Sequence, residues 1–169
     1  KVNDVVLTLV AGALRRYLQG HNACPKLPMT AMVPVSQHTP GEPIKGNENA
    51  ALICTLATDV ADPYQRLLVI RQAMSDQKRF LNNVKNVLFP DVSVIGGGAL
   101  VSSIAKLYGH TVLPETLPPL YNLVVSNVPG PPVPLYILGA RVLSFNPCSI
   151  PWHSTALNIT IESYCDSLD

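Results

Sequence analysis

The chain has 169 residues, with 12 Lys and Arg against 11 Asp and Glu, and a formal net charge of +1. This charge balance, the lack of any basic run and an aromatic content of 6% exclude the electrostatic footprint of a nucleic-acid binder. The length fits one domain able to bury a sizeable core. Only 14% of residues are charged, where soluble domains carry about a quarter, so part of the surface is expected to meet something other than water.

In chain order, Val2 to Leu18 (VNDVVLTLVAGALRRYL) reads as a buried helix, apolar on nearly every face. Asn3 or Asp4 would be its N-cap, Arg15 and Arg16 its last turn and Gly20 its C-cap. Ala11, Gly12 and Ala13 would let a sheet or second backbone come close. Met29 to Ser36 (MTAMVPVS) is a predicted strand in which Pro34 marks an edge or a bulge. Polar residues 37–49 make a surface loop, and Ala50 to Thr58 (AALICTLAT) a second, interior strand.

Asp62 followed by Pro63 is the start signal of a long helix, an N-cap with proline at the first helical position. Leu67, Ile70, Met74, Leu81, Val84 and Leu88 give it one apolar stripe, so it is expected on the outside of the sheet. A third helix is expected over 91–107. Gly96, Gly97 and Gly98 near its start would each cost about 1 kcal/mol inside it, so the helix begins after them or they let a partner close in.

From Leu120 to Tyr164 the character changes. Between Glu115 and Glu162 the one formally charged side chain is Arg141, and eight prolines from Pro118 to Pro151 interrupt the apolar runs. A membrane helix is thereby excluded, leaving short uncharged segments that read as strands buried on both faces, near 121–128, 135–146 and 155–164. The order of elements predicts an α/β (α+β layered) domain, a mixed sheet covered by helices.

Cys24, Cys54, Cys148 and Cys165 form no C-x-x-C, and no His stands at ligand spacing, which reads as four buried free thiols in a reducing compartment and no metal site. His21, His38, His110 and His153 are isolated, and His153 beside Trp152 reads as structural. Asn158-Ile159-Thr160 fits the glycosylation pattern but falls inside a predicted strand and is discounted. Without a signal peptide or a starting methionine, the chain is expected to be a piece of a longer, cytoplasmic protein.

Five segments taken in register carry more: VNDVVLTLVAGALRRYL, MVPVS, GNENAALICTLATDVADPYQRL, SNVPGPPVPLYILGA and ALNITIESYCDSLD. Together they resemble successive landmarks of the C-terminal half of the bacterial wax ester synthase/acyl-CoA:diacylglycerol acyltransferase family, over nearly the whole chain. The resemblance implies a two-domain enzyme of the CoA-dependent acyltransferase superfamily, similar in fold to chloramphenicol acetyltransferase. Residues 1–169 would be its single C-terminal domain, lining a substrate tunnel against an N-terminal half. In that family the second His of an HHxxxDG motif in the N-terminal half deprotonates the acceptor hydroxyl, and this chain contains no HHxxxDG.

The implied reaction esterifies diacylglycerol or a long-chain alcohol with acyl-CoA as co-substrate and no further cofactor. Contact with a membrane or lipid droplet would be peripheral. The alternative is a non-catalytic lipid-binding or interaction module of the same fold. Attack of an alcohol on a thioester passes through a tetrahedral oxyanion, and preplaced donors in a dry site contribute a few kcal/mol to its stabilisation.

By resemblance, Asn3 is a donor or positioning group facing the reaction centre and Asp4 caps its helix; as plain chemistry, both are ordinary N-cap residues. Ser126, by analogy with related acyltransferases, would place a hydroxyl near the oxyanion. Asn127 would touch substrate or hydrogen-bond the Pro129-Gly130 turn, which is itself structural. Gly139 and Ala140 would line the acyl or alcohol pocket, or serve close sheet packing.

Overall fold

A computed structural model describes residues 1–36, 49–88, 119–149, 151, 155 and 157–169. The elements are helix α1 (Val2–Gly20), strands β1 (Thr30–Ser36) and β2 (Asn49–Thr55), helix α2 (Pro63–Leu88), strand β3 (Leu123–Val128), the short strands β4 (Tyr136–Ile137) and β5 (Ala140–Arg141), then β6 (Leu157–Tyr164) and β7 (Ser167–Leu168). Five strands form one sheet in the order β2-β1-β3-β6-β7, and β4 and β5 form a separate hairpin. Pairing is parallel from β1 to β3 and from β3 to β6, and antiparallel at both edges, so the sheet is mixed as expected.

Strand alternation decides which face takes the helices. Ala31 and Val33, Leu52 and Cys54, and Leu123 and Val125 point into one core with Val6, Leu7, Val10 and Ala11 of α1 and Ile70 and Met74 of α2. Both helices therefore lie on the same face. Ser126 follows Val124 on the opposite face, where its register partner is Thr160.

Helix α2 starts as the sequence indicates: Asp62 Oδ1 accepts the Gln65 N–H at 2.7 Å, and the Asp62 carbonyl accepts the Arg66 N–H. Helix α1 departs from expectation at both ends. Its N-cap is Lys1, whose carbonyl accepts the Asp4 N–H at 3.0 Å while Asp4 Oδ2 accepts from the Lys1 nitrogen, and the helix runs through Gly20 to a C-cap at His21. Burial is also one-sided, since Val2, Val5, Leu9 and Tyr17 stay exposed.

Two strand expectations need correction, and one holds in part. Pro34 marks no bulge, since its register with β2 is unbroken, but it does lie on a locally free edge: β1 sits between β2 and β3, yet only Ala31 and Met32 pair with β3. It is tolerated because the ladder to β3 ends at Met32, so no partner on that side needs its missing N–H. Strand β2 is an edge, with Leu52 and Cys54 inward and Ala51 and Ile53 exposed. The segment 135–146 is no core strand. It carries the β4–β5 hairpin, turned by Leu138 (φ 51°) and Gly139 (φ 83°), the two left-handed positions of a type I′ turn.

The hairpin stands out from the sheet, yet its base is fixed. Tyr164 is 3% exposed, and its hydroxyl accepts the Leu135 N–H and donates to the Val142 carbonyl, both at 2.9 Å. At the tip, Leu138 is 103% exposed, Tyr136 and Ile137 of β4 are exposed with it, and so is Leu143 just past the base. Of the expected loop over 37–49, Asn49 opens β2 and the rest lies outside the described residues, as do the expected helix over 91–107 with Gly96, Gly97 and Gly98, and His38, His110 and His153.

Candidate functional site

The sequence-predicted residues fall into three places. Asn3 and Asp4 open α1. Asp4 is 7% exposed; its Oδ2 accepts from the Lys1 backbone nitrogen at 3.0 Å, and its carbonyl accepts from Thr8 Oγ1 at 2.7 Å. Its charge is felt inside the core: burial first, and the Asp4 carboxylate second, push the Cys54 thiol up to about 11. Asn3 is half-buried, and its side chain makes no hydrogen bond to another described residue.

Ser126 and Asn127 are half-buried at the far end of β3. Because side chains alternate, Asn127 shares the helix-covered face with Val125, and Ser126 takes the other. Ser126 and Asn3 are therefore on opposite sides of the sheet and are not brought together. What Ser126 does join is a polar row at the β3–β6 ladder. Thr160, its register partner, donates to Asn158 Oδ1 at 3.0 Å, and Ser149 Oγ lies 2.9 Å from Thr160 Oγ1.

Sequence reading passed over Thr160 and Asn158 because they looked like a discounted glycosylation pattern. The signal that finds them is the parallel register with Ser126, a long-range pairing that no local spacing reveals. The amide oxygen of Asn158 only accepts, and Thr160 already donates to it, so the Ser126 hydroxyl is the donor in this row that can turn to an oxygen of a bound ester or thioester.

After β3 the turn is as tight as its composition suggests. A Cβ on Gly130 would run into the Ser163 carbonyl oxygen, and the Gly130 N–H donates to Ser163 Oγ at 3.1 Å. Pro129 precedes it, exposed. Gly139 and Ala140 sit in the exposed hairpin, away from this polar row, with nothing near Gly139.

The four cysteines are free, but only Cys54 is buried; Cys24 and Cys148 are exposed and Cys165 is intermediate, which corrects the expectation of four buried thiols. Among the described residues no group of three His, Cys, Asp or Glu side chains gathers to hold a metal. No described helix is long and apolar enough to cross a membrane.

Comparison with known proteins agrees with this architecture. The family model described as the WS/DGAT C-terminal domain matches residues 45–169. A putative diacylglycerol O-acyltransferase of Mycobacterium tuberculosis H37Rv is 41% identical over 168 residues, which cover 99% of this chain and 36% of the relative. The O-acyltransferase WSD of Acinetobacter baylyi is 38% identical over 169 residues, 99% of this chain and 35% of that protein. Among solved structures, the wax ester synthase/diacylglycerol acyltransferase of Marinobacter aquaeolei VT8 superposes with a TM-score of 0.70 at 33% identity, over 99% of this chain and 36% of that one. The chain thus spans little more than a third of the length of these relatives. With this match over most of its length and a shared mixed-sheet fold, the chain belongs to the wax ester synthase/diacylglycerol acyltransferase family, as its C-terminal domain.

Proposed function

We propose that this domain is the supporting half of an acyl-CoA-dependent O-acyltransferase that esterifies diacylglycerol, a long-chain alcohol, or both. The observation that carries the reading is 38–41% identity, over 99% of the chain, to proteins named as acyltransferases. The general base belongs to an N-terminal half bearing HHxxxDG. In that arrangement Ser126, with Thr160 and Asn158 beside it, donates to the oxyanion formed when the acceptor alkoxide attacks the thioester carbon. The C–S bond then breaks, and CoA leaves as the thiolate, which takes up the proton held by the base.

Asn3 is a positioning group on the other side of the sheet, acting on a different part of the substrate from Ser126. Asn127 is proposed as a further contact at the end of β3, with Gly139 and Ala140 at the hairpin where the two halves enclose the acyl chains. Support for an N-terminal partner comes from that hairpin, whose apolar tip is exposed among the described residues. Association with a lipid surface is peripheral in this reading.

The test is an assay of the intact protein with long-chain acyl-CoA and, separately, diacylglycerol and a long-chain alcohol. Transfer to either acceptor, with free CoA released in equal amount, is the expected result. A folded, intact protein that transfers to neither would overturn the reading.

A further inference from the structure

A cavity of about 530 Å³ opens between the first turn of α1 and the middle of α2. Its size is within the usual range of ligand pockets, about 300–1,000 Å³. Lys1 and Asp4 line one side, and Arg71, Ser75, Lys78 and Arg79 the other. Spacings of four, three and one along α2 bring the latter to adjoining positions on one side of the helix, above the buried Met74. Four cationic side chains thus surround one carboxylate.

That carboxylate is already engaged. Asp4 Oδ2 accepts from the Lys1 backbone nitrogen at 3.0 Å, a capping bond at the first turn of α1. Asp76, one turn along α2, is not part of the cavity lining, and both of its oxygens accept from Gln72 Nε2 at 3.0 Å. Arg71, Lys78 and Arg79 are left without an ion-pair partner among the described residues. Clustered like charges around a concavity repel one another and focus a positive potential into it. A ligand with several negative charges relieves this, and guanidinium forks suit phosphate oxygens in particular.

We propose that this cavity binds the phosphates of a phosphorylated ligand, with Arg71, Lys78 and Arg79 on the phosphate oxygens and the Ser75 hydroxyl as a further donor. The phosphate chemistry has two sources here, the nucleotide end of acyl-CoA and the headgroup of an anionic phospholipid. Only the nucleotide source rests on the acyltransferase reading.

The experiment uses the intact protein with two probes: adenosine 3′,5′-bisphosphate by titration calorimetry, and vesicles of phosphatidylcholine with or without phosphatidic acid by flotation. Arg71→Glu and Lys78→Glu are each expected to weaken binding of one probe at least 10-fold, while Lys26→Glu, an exposed cation remote from the cavity, leaves it unchanged. Loss of nucleotide binding, with a matching rise in KM for acyl-CoA and an unaltered kcat, assigns the pocket to the co-substrate. Loss of vesicle binding alone assigns it to a lipid headgroup. Unchanged binding of both probes, or no binding by the parent protein, overturns the proposal. Should a charge reversal disturb folding, the milder Arg71→Gln/Arg79→Gln pair decides in the same way, and Arg71→Lys should restore most of the affinity. Nucleotide binding without acyl transfer would keep the pocket and refute the acyltransferase reading; acyl transfer with binding and KM unmoved would refute the pocket alone.

Discussion

Arg66 Nη1 lies 2.9 Å from the point where a Cβ on Gly12 would stand, so the two helices meet through a guanidinium laid on a glycine. The guanidinium has little room to retreat. Its Nε and Nη2 donate to the Val60 carbonyl at 3.1 and 2.7 Å, and Nη2 also donates to Ala61 at 3.0 Å. Burial, then the nearby Arg15 and Arg16, lower its pKa, with Asp62 opposing. The sequence predicts close approach at Ala11, Gly12 and Ala13 by a sheet or a second backbone; at Gly12 the partner is instead a side chain of α2, and Ala13 is exposed.

Gly12→Val is expected to destabilise the protein by about 1–3 kcal/mol, because the added branch displaces a tethered group. Gly12→Ala should be close to neutral, since alanine gains about 1 kcal/mol of helix propensity against a smaller clash. Urea unfolding of the intact protein separates the two; equal midpoints for Gly12→Val and the parent would show that the contact is not tight.

Tyr164→Phe removes an acceptor from the Leu135 N–H and a donor from the Val142 carbonyl. A buried tyrosine hydroxyl serving two backbone groups should be worth about 1–3 kcal/mol when lost. The loss should be local as well as global: amide exchange across residues 135–142 should accelerate in the variant more than exchange in β1. Uniform acceleration, or none, would mean that Tyr164 does not anchor the hairpin.

Cys54 should be the inert thiol. With its pKa pushed up to about 11, it is ionised at pH 8 in about one molecule in a thousand, so a disulfide reagent should label the exposed Cys24 and Cys148 first. The sign for stability follows from the neutral form being favoured in the fold. The contribution is full below the ordinary thiol value of 9.0 and is lost as pH rises from there through about 11. Unfolding midpoints that rise across this window, compared between the parent and Cys54→Ala, would contradict it.

An apolar hairpin with Leu138 at its tip 103% exposed and Leu143 just past its base 85% exposed needs a partner. The isolated 169-residue chain is expected to self-associate in light scattering, and Leu138→Asp/Leu143→Asp should return it toward monomer. In the intact protein the same pair should lower acyl transfer by weakening the docking of the two halves. A dilute, stable monomer of the unmodified chain would count against that role.

Local signals gave the α2 start at Asp62-Pro63, the strands β1, β3 and β6, and the tight Pro129-Gly130 turn. They failed where tertiary context decides. AALICTLAT is apolar throughout and reads as interior, yet at a sheet edge only every second residue needs to be buried. The 135–146 run reads as core because hydrophobicity cannot distinguish a strand inside this chain from a surface awaiting another polypeptide. Ser126 is singled out by family resemblance; its pairing with Thr160, and its placement on the face away from Asn3, follow only from long-range parallel register.

The most direct measurement is kcat for acyl transfer by the intact protein carrying Ser126→Ala, alongside its thermal midpoint. Removal of one oxyanion donor is expected to lower kcat by about 10²-fold or more, with the midpoint within a few degrees of the parent and KM for acyl-CoA little changed. A variant that folds normally and keeps full kcat would contradict the account, because the polar row on β3 and β6 would then have no part in the reaction.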